Sequence, residues 1–298
     1  MNTEIKKSRK ALAIALTVIL VLGCAMGLTA CGGATGDSSA PDGDGRPTLT
    51  VAISPDFSPM EFVDTSKTGQ EQYVGFDVTL ANFIADELDM ELVLVPMSFE
   101  ACQDAVENGD VDISLSGYSF TPERAERFNL SDHYYAGENE VAQAIVVPAE
   151  KASGLNNAED FAGLTIGAQS SSMQLSLAQN QLPDSTNIVE FQDLDDAVNA
   201  LLAGELDGLA VARGHGKAII ANHSEIALSG FEFTIAVQTA NNVVLIQKGN
   251  DELTKKINAC LKKANENSYY IEWYAEAQEL AGIDTAADVS YDAEGNAQ

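Results

Sequence analysis

Arg124 is one of only four arginines beyond the first thirty residues, with Arg46, Arg127 and Arg213. It ends the run Ser119-Phe120-Thr121-Pro122-Glu123-Arg124, which reads as a helix start. Thr121 suits the cap, Pro122 the first helical position and Glu123 the first turn. Arg124 then falls at the third position, beside the positive end of the helix dipole. A cation is unfavourable there unless an anion joins it. Arg together with free backbone N–H groups makes a receptor for carboxylate or phosphate. An exposed Arg paired with Glu123 or Glu126 is the competing reading. Ser116-Gly117-Tyr118-Ser119 follows the apolar segment 111–115, at the strand end where ligands of open α/β sheets bind.

A second set of polar groups is Gln169-Ser170-Ser171-Ser172-Met173-Gln174, between a strand pattern and a helix pattern. It offers hydroxyls and another helix start, and taken alone it reads first as an ordinary capping loop. Phe57 and Phe99 each sit just past a strand and could wall a cleft or simply pack in the core. The sequence holds no Gly-x-Ser-x-Gly, His-Glu-x-x-His or Cys-x-x-Cys,. Gly214-His215-Gly216-Lys217 resembles the end of a phosphate loop, but Val211 stands where the earlier glycine belongs,. His133, His215 and His223 lack metal-ligand spacing, so no metal, cofactor or catalytic residue is expected,. Cys102 and Cys260 read as small core hydrophobes, with a disulfide between them left open,.

The elements that carry these residues alternate. Segments 49–53, 92–95 and 111–115 are strands by composition,. Asp77 is a candidate cap for a helix whose face is Val78, Ala81, Ile84, Ala85 and Leu88,. Another helix runs from Ser98 to a stop at Gly109,. The same grammar returns later, with strands over 164–167 and 188–191 and helices over 173–179 and 194–203. Gly109-Asp110-Val111-Asp112 and Gly204-Glu205-Leu206-Asp207 match as glycine, acid, aliphatic, Asp, each after a helix and before an apolar strand. The pair predicts two lobes of like architecture, each with a parallel-type sheet covered by helices. Apolar runs 141–147 and 243–246 mark the seams as hinge strands. Two amphipathic helices, 252–265 and 269–280, return to the first lobe.

The chain has 298 residues, with 16 Lys and Arg against 45 Asp and Glu and a net charge of −29. That balance excludes nucleic acid and an anionic membrane surface as partners. The basic residues Lys6, Lys7, Arg9 and Lys10 precede an apolar run over 11–22. The run suits a signal-peptide core and is short for a membrane span. Leu28-Thr29-Ala30-Cys31 closes it and resembles the bacterial lipobox, in which cleavage precedes a Cys that is then diacylated. Val21-Leu22-Gly23-Cys24 is a poorer copy. Removing residues 1–30 takes four basic residues and one acidic, leaving 12 against 44 and a charge of −32. Residues 31–47 are Gly/Ser/Asp/Pro-rich and read as a flexible tether, and 285–298 as a loose tail,. The expected divisions are 48–142 with 243–284 as lobe 1 and 143–242 as lobe 2.

A specific resemblance rests on ordered motifs. They are Ser54-Pro55-Asp56-Phe57-Ser58-Pro59-Met60-Glu61-Phe62, then Val74-Gly75-Phe76-Asp77-Val78, then Gly109 to Asp112, then Ser119 to Arg124, then Phe128-Asn129-Leu130-Ser131-Asp132-His133-Tyr134-Tyr135. The set resembles the family-3 (polar amino acid/glutamine type) solute-binding lipoproteins of ABC importers, over about residues 48–280. The resemblance implies a type II periplasmic-binding-protein fold of two lobes joined by two hinge strands. It implies capture of a carboxylate-bearing solute, an amino acid first, by hinge closure and delivery to an ABC permease. The receptor would be monomeric and extracytoplasmic, anchored at Cys31 by lipid such as palmitate. Arg124 and Ser119 would hold the ligand carboxylate, and Gly117 would offer its carbonyl to the amino group. Phe57 and Phe99 would sandwich the ligand, with Ser172 and Met173 reaching it from lobe 2. The family usually carries an acid, partner of the ligand ammonium, at the position occupied by Ala212. Asp56, Glu138 or Glu140 could replace it, or Arg213 could favour a second acidic group on the ligand. His133 stands where the family commonly has Pro. A dehydratase-like enzyme on the same fold and a sensory ectodomain are the alternatives. The sequence shows no second apolar span after Cys31, which favours a free-standing tethered receptor.

Overall fold

The computed structural model describes residues 45–135, 137, 142–236 and 241–283. The leader, Cys31, most of the tether, the 285–298 tail, and Glu138 and Glu140 lie outside the described residues. In chain order the first part gives β1 (Thr48–Ile53), β2 (Asp56–Phe57), β3 (Glu61–Val63), β4 (Tyr73–Val74), α1 (Phe76–Glu87), β5 (Glu91–Pro96), α2 (Phe99–Asn108), β6 (Ile113–Ser114), α3 (Pro122–Arg127) and β7 (Phe128–Leu130). The second gives β8 (Gln143–Pro148), β9 (Thr165–Gln169), α4 (Met173–Gln181), β10 (Asn187–Phe191), α5 (Leu194–Leu202), β11 (Gly208–Ala212), α6 (Arg213–Asn222) and β12 (Ile226–Phe233). The last elements are β13 (Leu245–Gln247), α7 (Asp251–Glu266) and α8 (Tyr269–Leu280).

Two five-stranded sheets form the two lobes, in the orders β5-β1-β6-β13-β7 and β10-β9-β11-β8-β12. Leu49, Val51, Ala52 and Ile53 are all fully buried, as expected of a strand covered on both faces. The expected parallel sheets hold for three strands in each. β1 pairs β5 and β6 in parallel, and β9 does the same with β10 and β11. The other two strands of each sheet are antiparallel. Local strand-helix-strand reading misses those of the first sheet because β13 enters it from the other lobe. The seam runs, read as hinge strands, belong to the sheets. β8 lies in the second sheet and β13 in the first. Where the chain passes between lobes the two crossings run side by side. Tyr134 N donates to Asn242 O (3.0 Å) and Ser131 N to Val244 O (3.2 Å).

The repeated Gly-acid-aliphatic-Asp motif has one job in both lobes. Asp112 Oδ2 accepts from Thr50 N at 2.8 Å, and Asp207 Oδ2 accepts from Thr165 N at 3.0 Å. Each Asp therefore ties the corresponding strand of its lobe, β1 or β9, second in its sheet. Ser98 caps α2 through Ala101 N, and Gly109 ends it at φ 77°. Asp77 is not a cap. Gly75 at φ 121° precedes α1 instead, where a Cβ would lie 2.4 Å from Met60 O, so only glycine fits the turn. α7 and α8 return to lobe 1 and pack on α1 through Phe76, Ile257, Tyr270 and Tyr274. Cys260 belongs to this cluster and Cys102 to the one under Phe99, and both are free thiols. Among the described residues no helix is long and apolar enough to cross a membrane.

Candidate functional site

The strand ends of both lobes line a cavity between them. Phe57, Phe99, Ser116, Gly117, Ser119 and Arg124 line it from lobe 1. Gln169, Met173, Gln174, Leu194, Ala210, Val211, Ala212 and His215 line it from lobe 2.

Arg124 is positioned as its sequence demands. Thr121 Oγ1 accepts from Arg124 N at 3.2 Å, with Pro122 opening the helix. The side chain does not turn outward to Glu123 or Glu126. It is buried, donating from Nη1 to Ser119 O (2.8 Å) and from Nη2 to Ser171 O (3.3 Å). The guanidinium carbon lies 5.2 Å from the Tyr118 ring centroid and 5.6 Å from that of Phe99, a cation–π setting that holds the plane of the group.

Gly117 adopts φ 54°, and its N–H donates to Asp77 Oδ2 at 2.7 Å. Tyr134 Oη donates to the same carboxylate at 2.9 Å. Burial pushes the Asp77 carboxyl up to about 7 against these two hydrogen bonds,. Asp77 thus acts beneath the site, fixing the loop that bears Gly117. Met173 lines the cavity as expected. Ser172 does not, because its hydroxyl is taken by capping α4, accepting from Leu175 N at 3.0 Å. Ser171, at φ 59°, presents its carbonyl to Arg124 instead.

Further contacts join the lobes around the cavity. Asp56 Oδ2 accepts from Leu194 N (2.7 Å) and Gln169 Nε2 (3.4 Å). Burial raises the Asp56 carboxyl to about 6, partly offset by the Leu194 N–H. It serves as an interlobe clasp and does not line the cavity. Glu100 accepts from Ser171 Oγ (3.2 Å) and Gln192 Nε2 (2.9 Å) at the rim. Arg213 is not turned to the site, since it pairs with Glu232 on the surface. Ala212 is fully buried at the N-cap of α6 and lines the cavity, so no carboxylate stands there. His133 is exposed, 6.0 Å from the Phe120 ring.

Sequence reasoning missed His215, which is 5% exposed, 5.3 Å from the Phe57 ring and on the cavity wall. Its position, three residues after Ala212 on a helix that starts at a strand end, was the available signal. Among the described residues no cluster of His, Cys, Asp or Glu could hold a metal ion.

Residues 49–277 match the family model of the bacterial extracellular solute-binding proteins, family 3. The arginine-binding extracellular protein ArtP of Bacillus subtilis is 30% identical, over 84% of this chain and 92% of that protein. A probable histidine-binding protein of Neisseria gonorrhoeae is 28% identical, over 87% and 94%. An amino acid ABC transporter substrate-binding protein, AbpA of Streptococcus pneumoniae, was solved bound to L-arginine. It superposes with a TM-score of 0.71 at 28% identity, covering 80% of this chain and 96% of its own. With its two mixed sheets, the cavity between them and this match over most of its length, the chain belongs to the bacterial extracellular solute-binding proteins of family 3.

Proposed function

We propose that this chain captures a small carboxylate-bearing solute, an amino acid or a related acid, outside the cytoplasm and delivers it to an ABC permease. The observation that carries this is Arg124, buried on the cavity wall with its guanidinium shared between Ser119 O and Ser171 O. A carboxylate entering the cavity meets the only charged side chain that lines it among the described residues,. Phe57 and Phe99 flank the ligand body, while Ser119 and Gly117 offer polar atoms from lobe 1 and Met173 closes from lobe 2. Contacts to both lobes make the closed form the ligand-stabilised one. The protein acts by binding without turnover, as a monomer.

The relatives' ligands, arginine and histidine, set the chemical neighbourhood. Among the described residues no carboxylate lines this cavity to receive an arginine guanidinium. The leader is a signal peptide cut before Cys31, which carries the lipid anchor. Two acyl chains hold a protein at a membrane where one does not.

Thermal-shift screening of wild type and Arg124→Ala against amino acids and dicarboxylic acids tests the ligand reading. Stabilisation of wild type alone is expected, and equal stabilisation of both overturns the role of Arg124. Mass spectrometry of Cys31→Ser and wild type from membranes tests the anchor, with a diacylated N-terminus expected only in wild type.

A further inference from the structure

His215 sits at the wall between two spaces. It lines the central cavity and also an outer cleft that Ser58, Asp56 and Asp195 share. Nδ1 lies 3.2 Å from Ser58 O. A carbonyl oxygen only accepts, so Nδ1 carries the proton and Nε2 presents a lone pair. Ser58 lines the outer cleft and not the cavity, so Nδ1 is engaged on the cleft side and Nε2 is the ring's remaining polar atom. Nε2 is fully buried and meets no protein hydrogen-bond partner. Burial keeps the ring neutral, pushing its titration down to about 4. Among the described residues the cavity wall therefore carries one fixed cation, Arg124, and one neutral imidazole, His215, whose Nε2 has no protein partner.

Charge balance then discriminates among carboxylates. A monoanion neutralises Arg124 and leaves nothing over. A zwitterion uses its carboxylate in the same way but brings an ammonium that finds no lining carboxylate among the described residues. A buried, unmatched charge is costly, whereas an uncharged donor satisfies the orphaned Nε2. We infer that His215 is a specificity-determining residue, and that the preferred ligand is a monocarboxylate bearing an uncharged hydrogen-bond donor beside the acid, as in a 2-hydroxy acid. This rests on the carboxylate role given to Arg124.

The test is calorimetric titration of the purified full chain with matched probes: 2-hydroxy-4-methylpentanoate, L-leucine and 4-methylpentanoate, which has no donor. Wild type is expected to bind the hydroxy acid at least tenfold tighter than either of the others. His215→Ala should weaken the hydroxy acid at least tenfold more than it weakens 4-methylpentanoate. His215→Gln, which keeps a neutral acceptor, should recover part of the loss. Tighter binding of L-leucine by wild type overturns the inference while Arg124 keeps its role. So does an equal loss of hydroxy acid and 4-methylpentanoate in His215→Ala, the signature of a merely structural side chain. If no carboxylate from two to nine carbons binds wild type, the reading of Arg124 fails and this inference with it.

Discussion

Arg124 Nη2 lies 3.3 Å from the carbonyl oxygen of Ser171, so a lobe 1 side chain reaches the backbone of lobe 2. The same guanidinium holds Ser119 O at 2.8 Å in its own lobe. One group thereby connects the carboxylate receptor to the closed arrangement of the lobes.

Arg124→Lys is expected to behave much like Arg124→Ala. A single ammonium cannot reproduce the planar fork that serves Ser119 O, Ser171 O and a carboxylate together. Removing one partner of a buried, charge-assisted contact costs about 2–5 kcal/mol of affinity. Titration of the tightest-binding carboxylate against both variants checks this. Wild-type affinity in Arg124→Lys would show that point charge alone suffices.

Ala212→Asp should move the preference toward zwitterions. The position is on the cavity wall and caps α6, with no side-chain cap at present. Asp is a favoured cap, so about 1 kcal/mol of helix stability offsets part of the carboxylate's burial. A gain of tenfold or more for L-leucine over 2-hydroxy-4-methylpentanoate, relative to wild type, is the expected result. An unchanged ratio would place the ligand's donor away from Ala212.

The paired ties at Asp112 and Asp207 predict matching losses. Each carboxylate accepts a backbone N–H from the equivalent strand of its lobe, Thr50 in β1 and Thr165 in β9. Asp207 also receives Lys151 at 2.8 Å, and that hydrogen bond together with the one from Thr165 N holds its carboxyl below the usual range. Asp112→Ala and Asp207→Ala should each cost about 1–3 kcal/mol, with Asp207 toward the lower end because its partner is half exposed. Urea unfolding of each variant measures this. A loss in one lobe only would break the equivalence of the repeats.

How far the sequence reveals the site depends on the range of the forces involved. The Arg124 helix start was legible because Thr121, Pro122 and Glu123 act within one turn. The duplicated Asp was legible because its role is set by the motif around it. The helix start at Ser172 was legible as a capping loop, and its hydroxyl does cap α4, whereas its contact with a ligand rests on the resemblance alone. Asp77 was misplaced because Gly75 makes the turn while Asp77 serves Gly117, forty residues away. His215 was invisible as a cavity residue because its orientation depends on Ser58 in the other lobe. The antiparallel pairs of the first sheet were missed for a related reason, since β13 arrives only after the chain has passed through the other lobe.

The pH dependence of stability should separate His215 from Asp56. The imidazole is pushed from 6.5 down to about 4 by burial, with the Ser58 carbonyl pulling the other way. Between those values the unfolded chain binds a proton that the folded protein refuses. This contribution is complete above pH 6.5 and is lost as pH falls toward 4, to a limit of about 3 kcal/mol. The carboxyl of Asp56 is raised from 3.8 to about 6 and has the opposite sign. Its contribution is present below pH 3.8 and is lost as pH rises through 6. Arg124 across the cavity stays charged throughout, and Asp195 shares the outer cleft with both groups. The two effects oppose each other in wild type. His215→Gln should gain stability relative to wild type as pH drops from 7 to 4.5, and Asp56→Asn should gain as pH rises from 4 to 7. Thermal melts across pH 4–8 read both differences. Parallel curves for wild type and His215→Gln would mean that the ring takes up its proton in the folded protein, and that Nε2 is not the neutral acceptor assigned to it.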